Sequence, residues 1–282
     1  MKFGIVTPLL NARATFTACA ASVKSQEDDS NSFQIQHIVR ESESSHDTCE
    51  DIAQRFGCAY TCTPDTGLYD AIQSGLDEAC ASGADILCWL NADELYLPGT
   101  LATVQEAFDD DPSLDFIFGN YLITDSSAQV LAARREIPAR LLLLRNGVNY
   151  ILSCTTFFRK RVWEQHRPFD LSYRLLADKK FYLAALSSGI TSRHIPAFLG
   201  AYGSTGSNES LNPAAAQEQA RLRKETGAFS LGIARKAVRS LRCAEKLLRG
   251  CYGKKSISTT LFDTDGAPHE FRGRVATQWR WS

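Results

Sequence analysis

The sequence predicts an α/β fold, a mostly parallel central sheet flanked by helices, followed by a C-terminal helical extension and a small hairpin. Strand-like and helical segments alternate through the first 90 residues. The run 86–90 is continuously apolar, which is typical of a strand buried on both faces. Each early strand also ends in polar residues, and ligands of open α/β sheets bind at the carboxyl ends of the strands. We therefore expect a site at that edge.

The elements follow in order from hydrophobic periodicity and from turn residues. The predicted strands are 3–8, 33–39, 59–62, 85–90, 114–118, 129–133, 153–158 and 190–199. The predicted helices are 11–24, 47–56, a segment from 69 onward, 100–108, 141–144, a short one after 159, 176–187, and two after 212 separated near Gly227. The hairpin is predicted from 256–262 and 270–275. The segment 203–208 reads as a break, which predicts domains 1–205 and 206–282.

Composition limits the class of protein. The chain has 282 residues, of which 44% are hydrophobic, enough for one large domain or one domain with an appendage. No apolar run reaches the roughly 20 residues that cross a bilayer, and the N-terminus enters a strand pattern directly, so no signal peptide is expected. Nine cysteines are scattered through core-like segments, which predicts reduced thiols in the cytoplasm.

A polar and acidic cluster follows the apolar run 86–90. Asn91 and Asp93 lie two residues apart, so their side chains are expected to point to the same side of the chain. Oxygen ligands of this kind suit Mg²⁺ or Mn²⁺, which commonly bridge to substrate phosphates. The same cluster is equally compatible with an acidic loop that caps the helix beginning near residue 100.

Other early strands also end in residues that suit a ligand. The first strand leads to Thr7, Pro8 and Asn11, the second to Glu41 and Ser44, and the third to Asp65 and Gly67. No glycine-rich phosphate loop of the dinucleotide-binding or P-loop kind is present, which disfavours an NAD enzyme or an NTPase. Asp178 begins a predicted helix, where the helix dipole favours a carboxylate for structural reasons alone. His194 lies in an apolar strand and is expected to be structural.

Charge is uneven along the chain. Residues 217–255 carry eleven Lys or Arg against three Glu, a net charge of +8, whereas the whole chain carries −1. Within this segment we expect an amphipathic helix, which is compatible with two interpretations. In the first, residues 230–250 contact an anionic membrane surface; in the second, the helix packs on the domain with a solvated basic face. No nucleic-acid partner is expected. The apolar stripe is Ala234, Val238, Leu241, Ala244 and Leu248, and the basic stripe is Arg235, Arg239, Arg242, Lys246 and Arg249.

Six stretches, in order over roughly the first 205 residues, resemble the family 2 glycosyltransferases with a GT-A fold. The stretch Thr7-Pro8-Leu9-Leu10-Asn11 resembles T-P-x-x-N, and 37–47 resembles H-I-V-V-D-G-G-S-T-D. The stretch 65–71 resembles D-x-G-I-Y-D-A, and 90–94 resembles L-N-A-D-D, the metal motif. The stretch 156–160 resembles S/T-F-F-R-R, and Phe169-Asp170 followed by Asp178 resembles F-D and the later catalytic Asp.

The resemblance implies a metal-dependent, inverting transfer from a nucleotide sugar, with a UDP-sugar expected, to a glycan or lipid-linked acceptor. The implied pathway is surface polysaccharide or glycolipid biosynthesis at the inner membrane face. Asp93, with Asn91, would hold Mn²⁺ or Mg²⁺ on the diphosphate. Asp178 would be the general base for the acceptor hydroxyl. The implied donor contacts are Thr7, Pro8, Asn11, Glu41, Asp65, Gly67, Asp70, Asn91 and Ala92.

Two alternatives follow from departures and omissions. Glu41 stands where the family has Asp, and Ser42 and Glu43 replace two glycines. These changes motivate a degenerate domain that binds a nucleotide sugar or a partner without turnover. A nucleotidyltransferase would need a glycine- and Arg/Lys-rich loop after the first strand, which residues 7–11 do not supply. Asp93 and Asp178 together favour an enzyme, because a binding module needs no base.

Overall fold

The structure is a computed structural model that describes residues 1–27, 32–204 and 212–277. Its centre is one eleven-stranded sheet. The strands are β1 (Lys2–Leu9), β2 (Gln34–Ser42), β3 (Ala59–Thr63), β4 (Ile86–Trp89), β5 (Glu94–Tyr96), β6 (Phe116–Thr124), β7 (Val130–Arg134), β8 (Thr156–Arg159), β9 (Ser192–Gly203), β10 (Gly253–Phe262) and β11 (Pro268–Thr277). The helices are α1 (Arg13–Lys24), α2 (Glu50–Arg55), α3 (Leu68–Ala81), α4 (Thr100–Asp110), α5 (Leu141–Arg145), α6 (Lys160–His166), α7 (Ala177–Ser187), α8 (Pro213–Glu225) and α9 (Gly232–Leu248).

The strand order combines a parallel half with a mixed half. Along its main path the sheet runs β10-β11-β7-β6-β8-β4-β1-β2-β3. Strands β1, β2, β3 and β4 are parallel, so their carboxyl ends share one edge. Strand β8 is antiparallel to both β4 and β6, and β9 is parallel to β6. The predicted α/β fold with a central sheet and flanking helices is confirmed, but only its first half is parallel throughout.

Two hydrophobic cores cover the two faces of the parallel half. Val6 and Leu87 point to a core shared with α3, α6 and α7. Ile5 and Cys88 point the other way, to a core shared with α1 and α4. This alternation is the period of two that a strand imposes, and it explains why the continuously apolar run around β4 is buried on both sides.

Three strands differ from the sequence prediction because tertiary pairing overrides local polarity. Strand β2 continues through Arg40, Glu41 and Ser42, which were expected to form a loop, because β1 and β3 pair with it on either side. Strand β6 passes through Gly119-Asn120, where it was expected to end, because β9 runs beside it to Thr124. Strand β5 was not predicted, since it is three residues long and is defined by its pairing with β9.

The orientation of α9 corrects the predicted stripes. Part of the basic stripe turns inward, where Glu136 is buried and pairs with Arg242 at 2.6 Å and with Lys246 at 3.0 Å, whereas Arg239 and Arg249 are exposed. Within the apolar stripe Val238 is buried, but Leu241 is 60% and Leu248 88% exposed. The reason is that a buried carboxylate needs paired cations, and only this face of α9 supplies them. No helix among the described residues is long and apolar enough to cross a membrane.

The C-terminal hairpin joins the rest of the molecule. Strands β10 and β11 pair over their whole length, and β11 meets β7 at Thr277 and Ala133. Leu261 and Phe262 share a hydrophobic cluster with Ala18 of α1 and with residues of β5 and β6. The predicted boundary at 205/206 lies outside the described residues, so the division into two domains stays a prediction.

Candidate active site

The loop after β1 is tied to the loop after β2. The Asn11 backbone amide donates to Ser45 Oγ at 3.1 Å, and Asn11 Oδ1 accepts from the His46 amide at 2.8 Å. Asn11 adopts φ 51°, a left-handed conformation that Asn tolerates better than most residues. Thr7 and Pro8 are buried, and Thr7 Oγ1 lies 2.9 Å from His37 Nε2. The structure therefore places Asn11 at the loop surface and Thr7 behind it.

Glu41 presents one uncommitted oxygen. Its Oε2 accepts from the Cys49 amide at 3.0 Å and from Tyr60 Oη at 2.5 Å. Its Oε1 is buried and has no hydrogen-bond partner within the protein. Because a buried acceptor without a donor is unfavourable, Glu41 Oε1 is suited to an N–H donor from a ligand.

The turn before α3 contains the predicted Asp65, Gly67 and Asp70. Asp65 Oδ1 accepts from the Gly67 amide at 2.9 Å. Asp70 Oδ2 accepts from the Thr66 amide at 2.9 Å and from its hydroxyl at 3.0 Å. Gly67 adopts φ 133°, a conformation that residues with a Cβ rarely adopt. Here the two carboxylates shape the turn itself.

The loop after β4 is fixed by an inward-facing acid. Glu94 is buried, and its Oε2 accepts from the Asn91 amide at 2.9 Å. Ser153 Oγ donates to the same carboxylate, lying 2.7 and 2.8 Å from its two oxygens. Burial, followed by the charge of Asp93, raises the pKa of Glu94 to about 8. Because Glu94 holds the loop from inside, Asp93 is left half-buried at the sheet edge, and burial raises its pKa as well.

A cation here would depend on the substrate for some of its ligands. Among the residues that the structure describes, no group of three or more His, Cys, Asp or Glu side chains is arranged to hold a metal ion. Asn91 Oδ1 is buried without a hydrogen-bond partner, while its Nδ2 donates to Ser153 Oγ at 3.3 Å. Asn91 and Asp93 therefore offer hard oxygen atoms that fit Mg²⁺ or Mn²⁺ completed by phosphate oxygens.

Asp178 lies in the first turn of α7, as predicted. Tyr69 Oη lies 2.9 Å from Asp178 Oδ1 and 3.1 Å from the Leu175 carbonyl oxygen, so one hydroxyl proton serves both acceptors. Burial raises the pKa of Asp178, and the Tyr69 hydrogen bond opposes that rise. Trp89 of β4 stacks on Tyr182 of α7 at 5.6 Å, which fixes α7 against the strand that leads to Asn91 and Asp93.

A close backbone approach also fixes the β4 loop. A Cβ added to Gly203 of β9 would lie 2.3 Å from the Asp93 carbonyl oxygen, closer than real Cβ atoms approach. Only glycine therefore allows β9 to run this close to Asp93.

Sequence reasoning missed two residues that hold the candidate site together. Tyr69 lies within the stretch 65–71, but its helical spacing indicated only burial. Ser153 was placed only at the start of the predicted strand 153–158, whereas it lies in a 3-10 turn before β8 and binds both Glu94 and Asn91. The structural interpretation of His194 agrees with its contact to Asn120, whose Oδ1 lies 3.1 Å from His194 Nε2.

The fold is of the GT-A class, and solved structures of glycosyltransferases share that architecture. S. aureus TarS 1-349 in complex with UDP superposes with a TM-score of 0.61 at 14% identity, covering 88% of this chain and 72% of TarS 1-349. The mannosyltransferase PcManGT from Pyrobaculum calidifontis, in complex with GDP-Man and Mn²⁺, gives 0.52 at 14% identity, covering 87% and 80%. At such identities the likeness concerns the fold alone.

The family follows from the sequence comparison. The model of glycosyl transferase family 2 matches residues 4–180, more than half of the chain, so this chain belongs to that family and is a glycosyltransferase. A PGL/p-HBAD biosynthesis glycosyltransferase of Mycobacterium bovis is 28% identical over 212 residues, which cover 72% of this chain and 77% of the relative. The corresponding protein of Mycobacterium tuberculosis H37Rv has the same identity and coverage.

Proposed function

We propose that this chain is a metal-dependent, inverting transferase that moves a sugar from a nucleotide sugar, with a UDP-sugar as the first candidate, to an acceptor hydroxyl. The observation that supports this proposal most directly is the environment of Asp178. Burial raises the pKa of this carboxylate, and it is hydrogen-bonded to Tyr69 beside the strand that leads to Asn91 and Asp93. A raised pKa brings a carboxylate closer to the pH at which a general base works best.

The chemistry is a single displacement. The acceptor oxygen bonds to the anomeric carbon as the bond from that carbon to the diphosphate oxygen breaks, and Asp178 takes the hydroxyl proton. One displacement inverts the anomeric configuration. When bound by Asp93 and Asn91 oxygens, a divalent cation supplies charge neutralisation for the departing diphosphate.

The nucleobase of the nucleotide sugar is proposed to bind Glu41. Its buried Oε1 has no hydrogen-bond partner within the protein, and a nucleobase N–H would satisfy it. Tyr60 and the Cys49 amide hold the other oxygen, so the free oxygen has a defined direction. Asn11, Asp65, Gly67, Asp70 and Ala92 remain proposed donor contacts or donor-loop residues, with Thr7 and Pro8 packed behind them.

The neighbouring structures support a nucleotide-sugar donor. TarS has been solved with UDP and with UDP-GlcNAc, and PcManGT with GDP-Man and Mn²⁺. The mycobacterial relatives are named for PGL/p-HBAD biosynthesis, which favours a glycolipid or other lipid-linked glycan as the acceptor class. We accordingly propose a cytoplasmic enzyme of surface polysaccharide or glycolipid biosynthesis, acting at the inner membrane face.

Ligand stabilisation tests the donor assignment. We expect one of UDP, GDP, CMP and dTDP to raise the melting temperature only with Mn²⁺, because a ligand at 100 times its Kd stabilises the native state by about 2.7 kcal/mol. Asp93→Ala should lose that shift, whereas Asp178→Asn should keep it and lose turnover. No shift with any nucleotide would favour the domain without turnover, and full turnover in Asp178→Asn would refute the base.

The outward face of α9 supports the proposed membrane contact through residues 230–250. Ile233, Leu241 and Leu248 are strongly exposed and lie on one side of the helix at spacings of eight and seven residues. Lys236 and Arg239 are also exposed on α9. An aliphatic face with nearby cations complements an anionic bilayer, where each basic residue contributes about 1 kcal/mol.

Vesicle binding tests this surface. We expect co-sedimentation with phosphatidylglycerol vesicles and little with phosphatidylcholine alone. The double variant Leu241→Gln, Leu248→Gln should reduce binding, whereas Leu131→Gln, at an exposed leucine on β7, should not. Equal binding by the double variant and the wild type would refute the proposed surface.

A further inference from the structure

Helix α8 supplies one carboxylate to three consecutive backbone amides. Glu218 Oε1 accepts from the Arg174 amide at 2.7 Å, and Oε2 accepts from the amides of Leu175 at 2.9 Å and Leu176 at 3.0 Å. These amides belong to Leu176, the N-cap residue of α7, and to the two residues before it, and negative charge is favoured near this end of the helix by its dipole. Glu218 therefore caps α7 from a different helix.

The capped segment is joined directly to the candidate base. The Leu175 amide donates a hydrogen bond to Glu218, and the Leu175 carbonyl oxygen accepts one from the Tyr69 hydroxyl. The same Tyr69 hydroxyl binds Asp178. A shift of residues 174–176 would therefore disturb the Tyr69 hydroxyl and the start of α7 together, and both of these set the direction of the Asp178 carboxylate.

Three further contacts attach α8 to α7 and to the core beneath it. Gln219 Oε1 accepts from the buried Lys179, the residue after Asp178. Leu222 is buried in the core that also contains Trp89 and Tyr182. Glu225, at the other end of α8, pairs with Lys180 at 2.8 Å. The match to the family model ends at residue 180, so family membership does not assign a role to this helix.

We propose that Glu218 is a positioning residue for glycosyl transfer, which holds the segment before α7 so that Asp178 faces the acceptor hydroxyl. This inference rests on the proposed function, because it takes Asp178 as the base. Donor binding is assigned to the loops after β1 to β4, so the loss of Glu218 should affect the transfer step more than donor affinity.

The matched control is Glu225. It lies on the same helix and pairs with Lys180 and Arg221, but no backbone amide before α7 is among its hydrogen-bond partners. Glu218→Ala removes the cap, Glu218→Gln keeps one oxygen acceptor without the charge, and Glu225→Ala removes an ion pair from the same helix. A general weakening of α8 would affect both positions, whereas positioning of Asp178 would affect only Glu218.

The experiment combines kinetics with hydrogen exchange on the full chain. The kinetic probe is hydrolysis of the UDP-, GDP-, CMP- or dTDP-sugar selected by the nucleotide panel, with water as acceptor. For Glu218→Ala we expect kcat to fall about ten- to a hundredfold, the loss that a displaced catalytic group causes. Donor KM should stay within about twofold, because ground-state binding is unchanged. The kcat of Glu218→Gln should lie between those of Glu218→Ala and the wild type, and the kcat of Glu225→Ala should resemble that of the wild type.

Amide hydrogen exchange measures the protection of residues 174–176 directly and needs no ligand. The peptide covering residues 173–178 should exchange faster in Glu218→Ala than in Glu225→Ala or the wild type. Unchanged exchange, or a kcat loss that only follows the folded fraction, would overturn the positioning role. If Asp178→Asn is inactive and Glu218→Ala is fully active, only this inference fails. If Asp178→Asn stays active, the proposed base fails, and the role of Glu218 fails with it.

Discussion

Replacing Tyr69 with Phe tests how the base is tuned. The ring would keep its contact with Phe169, whose centroid lies 5.5 Å away, so the fold should be retained. The hydroxyl lies 2.9 Å from Asp178 Oδ1, and a hydrogen bond to a charged group is worth about 1.5–3 kcal/mol. If half of that energy, about 0.75–1.5 kcal/mol, orients the proposed base, kcat should fall about four- to thirteenfold, since 1.4 kcal/mol corresponds to one power of ten.

The sign of the pH effect follows from the same bond. Burial raises the pKa of Asp178, and the Tyr69 hydrogen bond lowers it, so the variant should have the higher pKa. Because the proposed base Asp178 would act only when ionised, the acid limb of the kcat/KM profile should move to higher pH. The control is Tyr182→Phe, which removes a nearby buried hydroxyl that interacts with Thr156 and is not hydrogen-bonded to Asp178. An acid limb that stays in place, or moves to lower pH, would refute this reasoning.

Three further predictions concern the support of the site. Burial lowers the pKa of His37 to about 4. The free energy of unfolding should therefore fall as pH drops from about 6.5 to 4, by about 3 kcal/mol at most. In urea titrations, the free energy of unfolding of His37→Gln should depend less on pH than that of the wild type. Glu136→Ala leaves two cations of α9 without their carboxylate and should cost about 3–5 kcal/mol in urea unfolding; a loss under 1 kcal/mol would contradict a buried cluster. Gly203→Ala should weaken Mn²⁺-dependent nucleotide binding because its Cβ meets the Asp93 carbonyl, whereas Gly232→Ala, whose Cβ would make only an ordinary contact with Arg235 Nη2 at 3.8 Å, should bind normally.

The parallel half of the fold was predictable because its signals are local. The apolar run of β4 and the spacing of Tyr69, Ile72, Leu76 and Ala79 in α3 require no knowledge of distant partners. Strand β5 and the later part of β6 were not predictable in this way, because both are defined by β9, which lies far along the chain.

The candidate site shows the same division. Asn91, Asp93 and Asp178 were predicted from residue type and from short stretches that resemble family 2 glycosyltransferases, and their roles stay predictions. Tyr69 and Glu218 were not, because their roles are hydrogen bonds to residues that lie 109 and 42 to 44 positions away in sequence. The inward position of Arg242 and Lys246 on α9 was also not predictable, since their buried partner, Glu136, lies 106 positions from Arg242.

The C-terminal hairpin has a consequence for the order of events during synthesis. Leu261 and Phe262 complete a cluster with Ala18, so α1 and β5 keep an uncovered apolar surface until the hairpin has been made. Domains generally fold during synthesis from the N-terminus, and exposed apolar surface makes such intermediates prone to aggregation. The strand that follows the metal motif is therefore among the last parts to be covered. A nascent chain that stalls before residue 253 should need a chaperone more than a released chain does.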